Sequence, residues 1–149
     1  IVGEKWGLIN KKGENIVNFK YDEMEYLENG IIVAKKDEKW CYINKEGREI
    51  TNNKYKYTGG FSNGVSVVID ENDKYGLIDI NGKEIVQPQY YNIGGVANKF
   101  IGDSTLVLEK IIKDGEEPIV SCGIINRKGN IRLLGRVKIS NFDEYFDNF

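Results

Sequence analysis

The chain has 149 residues, 40% hydrophobic and 30% charged, with 17 Gly and 2 Pro, a balance that fits a folded, turn-rich protein and excludes disorder and collagen. Its 21 Lys and Arg against 23 Asp and Glu leave a net charge of −2, without the broad positive field that a phosphate backbone attracts, so nucleic acid is not an expected partner. There is no His, which removes Ser-His and Cys-His nucleophile pairs and His-bearing zinc sites, and no apolar run approaches about 18 residues, so no membrane span is expected.

The first predicted element is a strand in Lys5-Trp6-Gly7-Leu8-Ile9-Asn10. It recurs as Lys39-Trp40-Cys41-Tyr42-Ile43-Asn44, as Lys74-Tyr75-Gly76-Leu77-Ile78-Asp79 and, worn, as Cys122-Gly123-Ile124-Ile125-Asn126. Trp6 and Trp40 are 34 residues apart and Trp40 and Tyr75 are 35, a period that makes one supersecondary unit the building block of the fold. A turn follows each strand: Asn10 to Gly13, Asn44 to Gly47, Asp79 to Gly82 and Asn126 to Gly129. Asn or Asp at the first position and Gly at the fourth predict a type I turn closed by a G1 bulge, so the flanking strands are antiparallel. The second strand carries Ile16-Val17, Ile50-Thr51 or Ile85-Val86 and leads to a Tyr marker. Trp6 to Tyr21, Trp40 to Tyr55 and Tyr75 to Tyr90 each span 15 residues, which implies a fixed register. After a loop ending near Gly30, Gly64 or Gly102 comes a third strand, such as Ile31 to Ala34, Val65 to Ile69 or Thr105 to Leu108.

These elements predict an all-β chain, a tandem repeat of antiparallel three-stranded units forming one β-meander array over 1–149. The units are 4–37, 38–73, 74–118 and 119–149, the last degenerate or truncated. The long link between units three and four carries the turn signal Lys113-Asp114-Gly115-Glu116-Glu117-Pro118 and reads as one hairpin. In unit four the Tyr marker falls on Val137 or, preferred because Phe142-Asp143-Glu144 echoes Tyr21-Asp22-Glu23, on Phe142. From Ser140 the tail reads as a short C-terminal helix with Ile139, Phe142, Phe146 and Phe149 on one side. An open twisted array is expected over a closed ring, on the ground that the units are short for four-stranded blades. Trp6, Trp40 and Tyr75 are expected to be wedged between units and to supply most of their cohesion. Cys41 and Cys122 read as small buried fillers, not a disulfide.

Trp-Gly, two aliphatics, Asn/Asp-x-x-Gly, an aliphatic pair, then a Tyr with a following acid resembles the bacterial WG-repeat family, also called KWG repeats. Units one and three fit best, through Lys5 to Asn10, Gly13, Ile16-Val17 and Tyr21-Asp22, and through Lys74 to Asp79, Gly82, Ile85-Val86, Pro88 and Tyr90. Cys41 and Cys122 depart from the Trp-Gly pair, and the family's Pro survives only as Pro88, with Phe19 and Asn53 elsewhere. The resemblance implies a β-rich bacterial tandem repeat of unassigned function, often joined to other domains, with no catalytic residues to carry over.

The sequence therefore reads as a non-catalytic binding scaffold with no cofactor and no metal. Asp70 to Asp73 lacks the Gly and the third ligand of a calcium loop, and Asp22, Glu23, Asp103 and Asp143 read as loop acids. A protein partner is expected first. The alternative is a glycan or cell-envelope ligand on exposed tyrosines, for which Tyr57 and Tyr91, ahead of Gly59-Gly60 and Gly94-Gly95, are the candidate contacts, forming a repeated aromatic ledge. The compartment is left open between the cytoplasm and export after removal of a leader. The start on Ile1, shortly before Trp6, predicts further units upstream.

Overall fold

The computed structural model describes residues 3–27, 30–52, 54–94, 102–114 and 117–138. The helix expected from Ser140, Phe142 with it, lies outside them. The described residues form four small antiparallel sheets. The first pairs β1 (Trp6–Ile9) with β2 (Asn15–Tyr21), and the second orders β3 (Glu23–Tyr26), β4 (Ile31–Lys36) and β5 (Lys39–Asn44). The third is β6 (Tyr57–Thr58), β7 (Val65–Ile69), β8 (Tyr75–Asp79) and β9 (Glu84–Tyr90). The fourth is β10 (Asn92–Ile93), β11 (Ser104–Asp114), β12 (Glu117–Asn126) and β13 (Ile131–Lys138). The all-β tandem repeat of antiparallel meanders is thus present. The three strands expected per unit are joined by a short one, β3, β6 or β10, in what reads from sequence as the loop after the Tyr marker. Units of this length therefore do accommodate four strands, because one of the four needs only two to four residues.

The turns form for the predicted reason. Asn10 Oδ1 accepts from the amides of Lys12 at 2.8 Å and Glu14 at 3.0 Å, and Asp79 and Asn126 repeat both bonds in their own turns. Gly13, Gly47, Gly82 and Gly129 hold φ between 79° and 82°, where a side chain would be strained. Asp70 builds the same turn between β7 and β8, accepting from Asn72 at 2.9 Å and Lys74 at 2.8 Å, with Asp73 at φ 57° in the Gly place. The residues weighed as a calcium loop are a turn whose leading carboxylate is spent on its own backbone.

The repeated Gly after the aromatic has a steric cause. Trp6 pairs with Tyr21 and Leu8 with Val17, so two steps on β1 face four on β2, and Tyr75/Tyr90 with Leu77/Val86 repeats the mismatch. The excess residues bulge across the facing strand. A methyl group at Gly7 would lie 2.6 Å from the Val17 carbonyl oxygen, and one at Gly76 2.7 Å from that of Val86. Where unit two has Cys41 instead, the strand after the turn keeps only the bridges Trp40 to Tyr55 and Ile43 to Glu49. There the Tyr42 amide donates to the Thr51 hydroxyl, 2.9 Å away, in place of a main-chain acceptor. In unit four the mismatch is one residue, so Cys122 pairs with Gly135. The residue opposite the Trp slot is therefore Gly135 and not Val137, while Phe142 lies outside the described residues.

The sheets stack in chain order through three cores. Val17 and Tyr21 meet Ile32, Ala34, Cys41 and Ile43 in the first. Ile31, Val33, Tyr42 and Tyr55 meet Val68 and Ile78 in the second, and Val67, Leu77 and Val86 meet Ile93, Val107 and Ile125 in the third. Successive residues of β4 and β7 thus serve opposite cores, which is why both strands are buried over four consecutive residues instead of at alternate ones. Cys41 and Cys122 are free and buried. The expected wedge is corrected: Trp6 is 55% exposed, and Trp40 and Tyr75 lie half-buried at the margins of cores, while Tyr21 and Tyr55 are sealed at 0% and 1%. Each Tyr marker stands where the chain changes sheet, and the third, Tyr90, is half-buried. Tyr21 ends β2, and the next amide, Asp22, already bonds the Lys35 carbonyl of the second sheet at 2.8 Å, as Lys56 bonds Ile69 and Tyr91 bonds Leu108 further on.

Candidate functional site

Two successive junctions are built from the same contact. The Tyr21 hydroxyl donates to the Glu49 carboxylate of the next unit, and Lys20 Nζ reaches the same oxygen at 2.8 Å. One unit later Tyr55 and Lys54 hold Glu84 at 2.9 and 2.7 Å. The ammonium and the phenol keep both carboxyls below the usual range, and burial first, then the carboxylate, pushes both phenols well up. Beside this latch each turn glycine seats on the preceding unit. A Cβ at Gly47 would meet Ile16 Cγ2 at 2.7 Å, one at Gly82 would overlap Ile50 Cγ2, and one at Gly129 would meet Val86 Cγ2 at 2.7 Å. Gly13 has nothing within 4 Å.

The first sheet differs from the others in its described neighbours. Strands β5, β8 and β12, which occupy the Trp slot, each have β4, β7 or β11 along one edge and partners on the other side as well. Among the described residues β1 pairs with β2 alone. Trp6, Ile9, Ile16 and Phe19, all on these two strands, are exposed, Ile9 by 56% and Phe19 by 60%. Trp6 also walls a shallow recess of about 340 Å³ with Met24, Trp40 and the acids Glu23 and Glu25. Large exposed apolar side chains are thus gathered on one small sheet.

The tyrosines singled out from sequence are both 42% exposed, but they do not occupy equivalent positions. Tyr57 stands two residues after Tyr55 and Tyr91 one after Tyr90. Tyr57 opens β6, whereas Tyr91 lies in the bend between β9 and β10, so the two do not make a repeated ledge. The face of Tyr91 is moreover taken by Lys74, whose Nζ lies 3.4 Å from the ring centroid. The acids weighed as catalytic pairs are engaged singly. Asp22 binds Lys5 and the Asp37 amide, Glu23 binds Lys35 at 2.9 Å, and Asp103 binds Arg127 at 3.0 Å. Asp143 lies outside the described residues. Sequence reasoning missed Glu49 and Glu84, although both stand two residues after a turn glycine and follow a Lys-Tyr pair by one unit.

The WG containing repeat family matches residues 6–40, 42–75 and 75–102, three consecutive stretches that cover most of the chain. The chain belongs to the WG repeat family. No curated protein and no solved structure matches it. The family boundaries begin at Trp6, Tyr42 and Tyr75, on strands β1, β5 and β8, so one WG repeat takes strands from two adjacent sheets. A WG repeat is thus a unit of sequence, and the sheet is the unit of packing.

Proposed function

We propose that this WG repeat protein is a non-catalytic scaffold that binds another protein through its exposed first sheet. The observation that carries the reading is the group of large apolar side chains that face solvent on β1, β2 and β3: Trp6, Phe19 and Tyr26 are all more than half exposed. Aromatic and aliphatic side chains held open on a rigid sheet are suited to a protein interface, where Trp anchors contribute the largest share of binding energy. The absence of a shared tyrosine ledge takes support from the glycan alternative. The test is affinity capture with the whole chain and with Phe19→Asp, run beside a glycan array. A protein captured by the parent and lost in the variant supports the reading, whereas glycan binding abolished by Tyr57→Ala and Tyr91→Ala, with no protein captured, overturns it.

A further inference from the structure

Resting on that reading, we infer that the recess walled by Trp6 and Trp40 takes an alkylammonium group, presented on a side chain of the protein partner. Both tryptophans of the chain line this recess, together with Met24 and the acids Glu23 and Glu25. Indole faces attract a cation through the ring quadrupole, and a carboxylate adds the opposite charge. Apolar walls strip water from what enters, which favours an ammonium carrying methyl groups over a bare, strongly hydrated one. The chain performs this chemistry on a lysine of its own: Lys35 Nζ lies 5.4 Å from the Trp40 ring centroid and 2.9 Å from Glu23. That contact neutralises Glu23, whereas Glu25 has no hydrogen bond or ion pair among the described residues, which leaves one negative charge for a guest. The fold does not require acids at these places. The register that sets Glu23 opposite Lys35 sets Tyr57 opposite Ile69 and Asn92 opposite Leu108, and the Glu25 position falls to Gly59 and Gly94. Nor does the site depend on Trp6 lying at a sheet edge: Trp40, paired on both sides by Lys35 and Tyr55, is still only half-buried and lines the recess.

Because the chain holds no further Trp, its intrinsic emission reports on the recess directly. The whole chain is titrated at constant ionic strength with N-acetyl-trimethyllysine amide, and beside it with the uncharged isostere in which a tert-butyl group replaces the trimethylammonium. The cation is expected to change Trp emission saturably in roughly the millimolar range, the isostere to bind at least about threefold more weakly, and Glu25→Gln to weaken the cation at least about threefold with an unchanged circular dichroism spectrum. Absence of a saturable response, or one equal for the isostere and indifferent to Glu25→Gln, overturns the inference. Affinity capture with Glu25→Gln and with Phe19→Asp separates the recess from the scaffold reading. A partner lost from both variants supports both. A partner lost with Phe19→Asp but retained by Glu25→Gln, with no response to the cation, sinks the recess and leaves the scaffold reading standing. A response to the cation with no protein captured makes a free alkylammonium compound the ligand, and sinks the scaffold reading together with the partner-borne assignment.

Discussion

Tyr55 donates its phenolic hydrogen to Glu84, 2.9 Å away and 29 residues along the chain, and so ties one WG unit to the next. Tyr21 and Glu49 make the same contact one junction earlier. Each phenol is buried and each carboxylate is shared with a lysine, so apolar burial and a charge-assisted hydrogen bond act at one point.

Truncating the buried Tyr should therefore cost far more than truncating the conspicuous Trp. Tyr55→Ala removes a sealed aromatic and orphans Glu84, an expected loss of about 3–5 kcal/mol. Trp6→Ala, at a side chain that is 55% exposed, is expected to stay within about 0.5 kcal/mol. Urea unfolding of the two variants decides, and equal losses would refute the ranking.

Acid should loosen the junctions. Glu49 and Glu84 are held below their ordinary value of 4.5 by Lys20 and Lys54, with Tyr21 and Tyr55 adding to it. A carboxyl whose folded pKa is depressed stabilises the fold above the unfolded value and loses that contribution as pH falls through the folded one. Stability is expected to decline from about pH 5 downward, and the double variant Glu49→Gln, Glu84→Gln should show a flatter slope in that window. An unchanged slope would mean the latches do not titrate.

Alkali acts on the other partners. Burial pushes the Tyr42 phenol up to about 12 and raises Tyr21 and Tyr55 further. A group whose folded pKa is raised contributes stability that is complete below its unfolded value, here 10.0, and is lost as pH climbs above it. Each phenol should withdraw up to about 1.4 kcal/mol per pH unit beyond that point. Tyrosinate absorbance near 295 nm, followed together with circular dichroism, should show these three ionising only as the fold is lost.

Gly76→Ala should be among the more damaging single substitutions, at about 2 kcal/mol or more, because its methyl would enter the strand that carries Val86 and Pro88. Gly60→Ala, with nothing within 4 Å, is the control and should be close to neutral. Thermal midpoints that move equally for both would refute the steric account of the Trp-Gly pair.

Local chemistry was legible in the sequence where it is local in space. The Asn/Asp-x-x-Gly turns, the strands on either side of them and the period of 34 or 35 residues follow from hydrogen bonds made within five residues and from the positive φ of Gly, so the chain fixes them by itself. The single long hairpin of β11 and β12 followed from its turn signal in the same way. Which strands share a sheet was decided only in the tertiary structure, because Asp22 bonds Lys35 and not its own hairpin, a pairing that no periodicity records. The same sheet change buries Tyr21 and leaves Trp6 exposed, reversing the expected roles of the two aromatics.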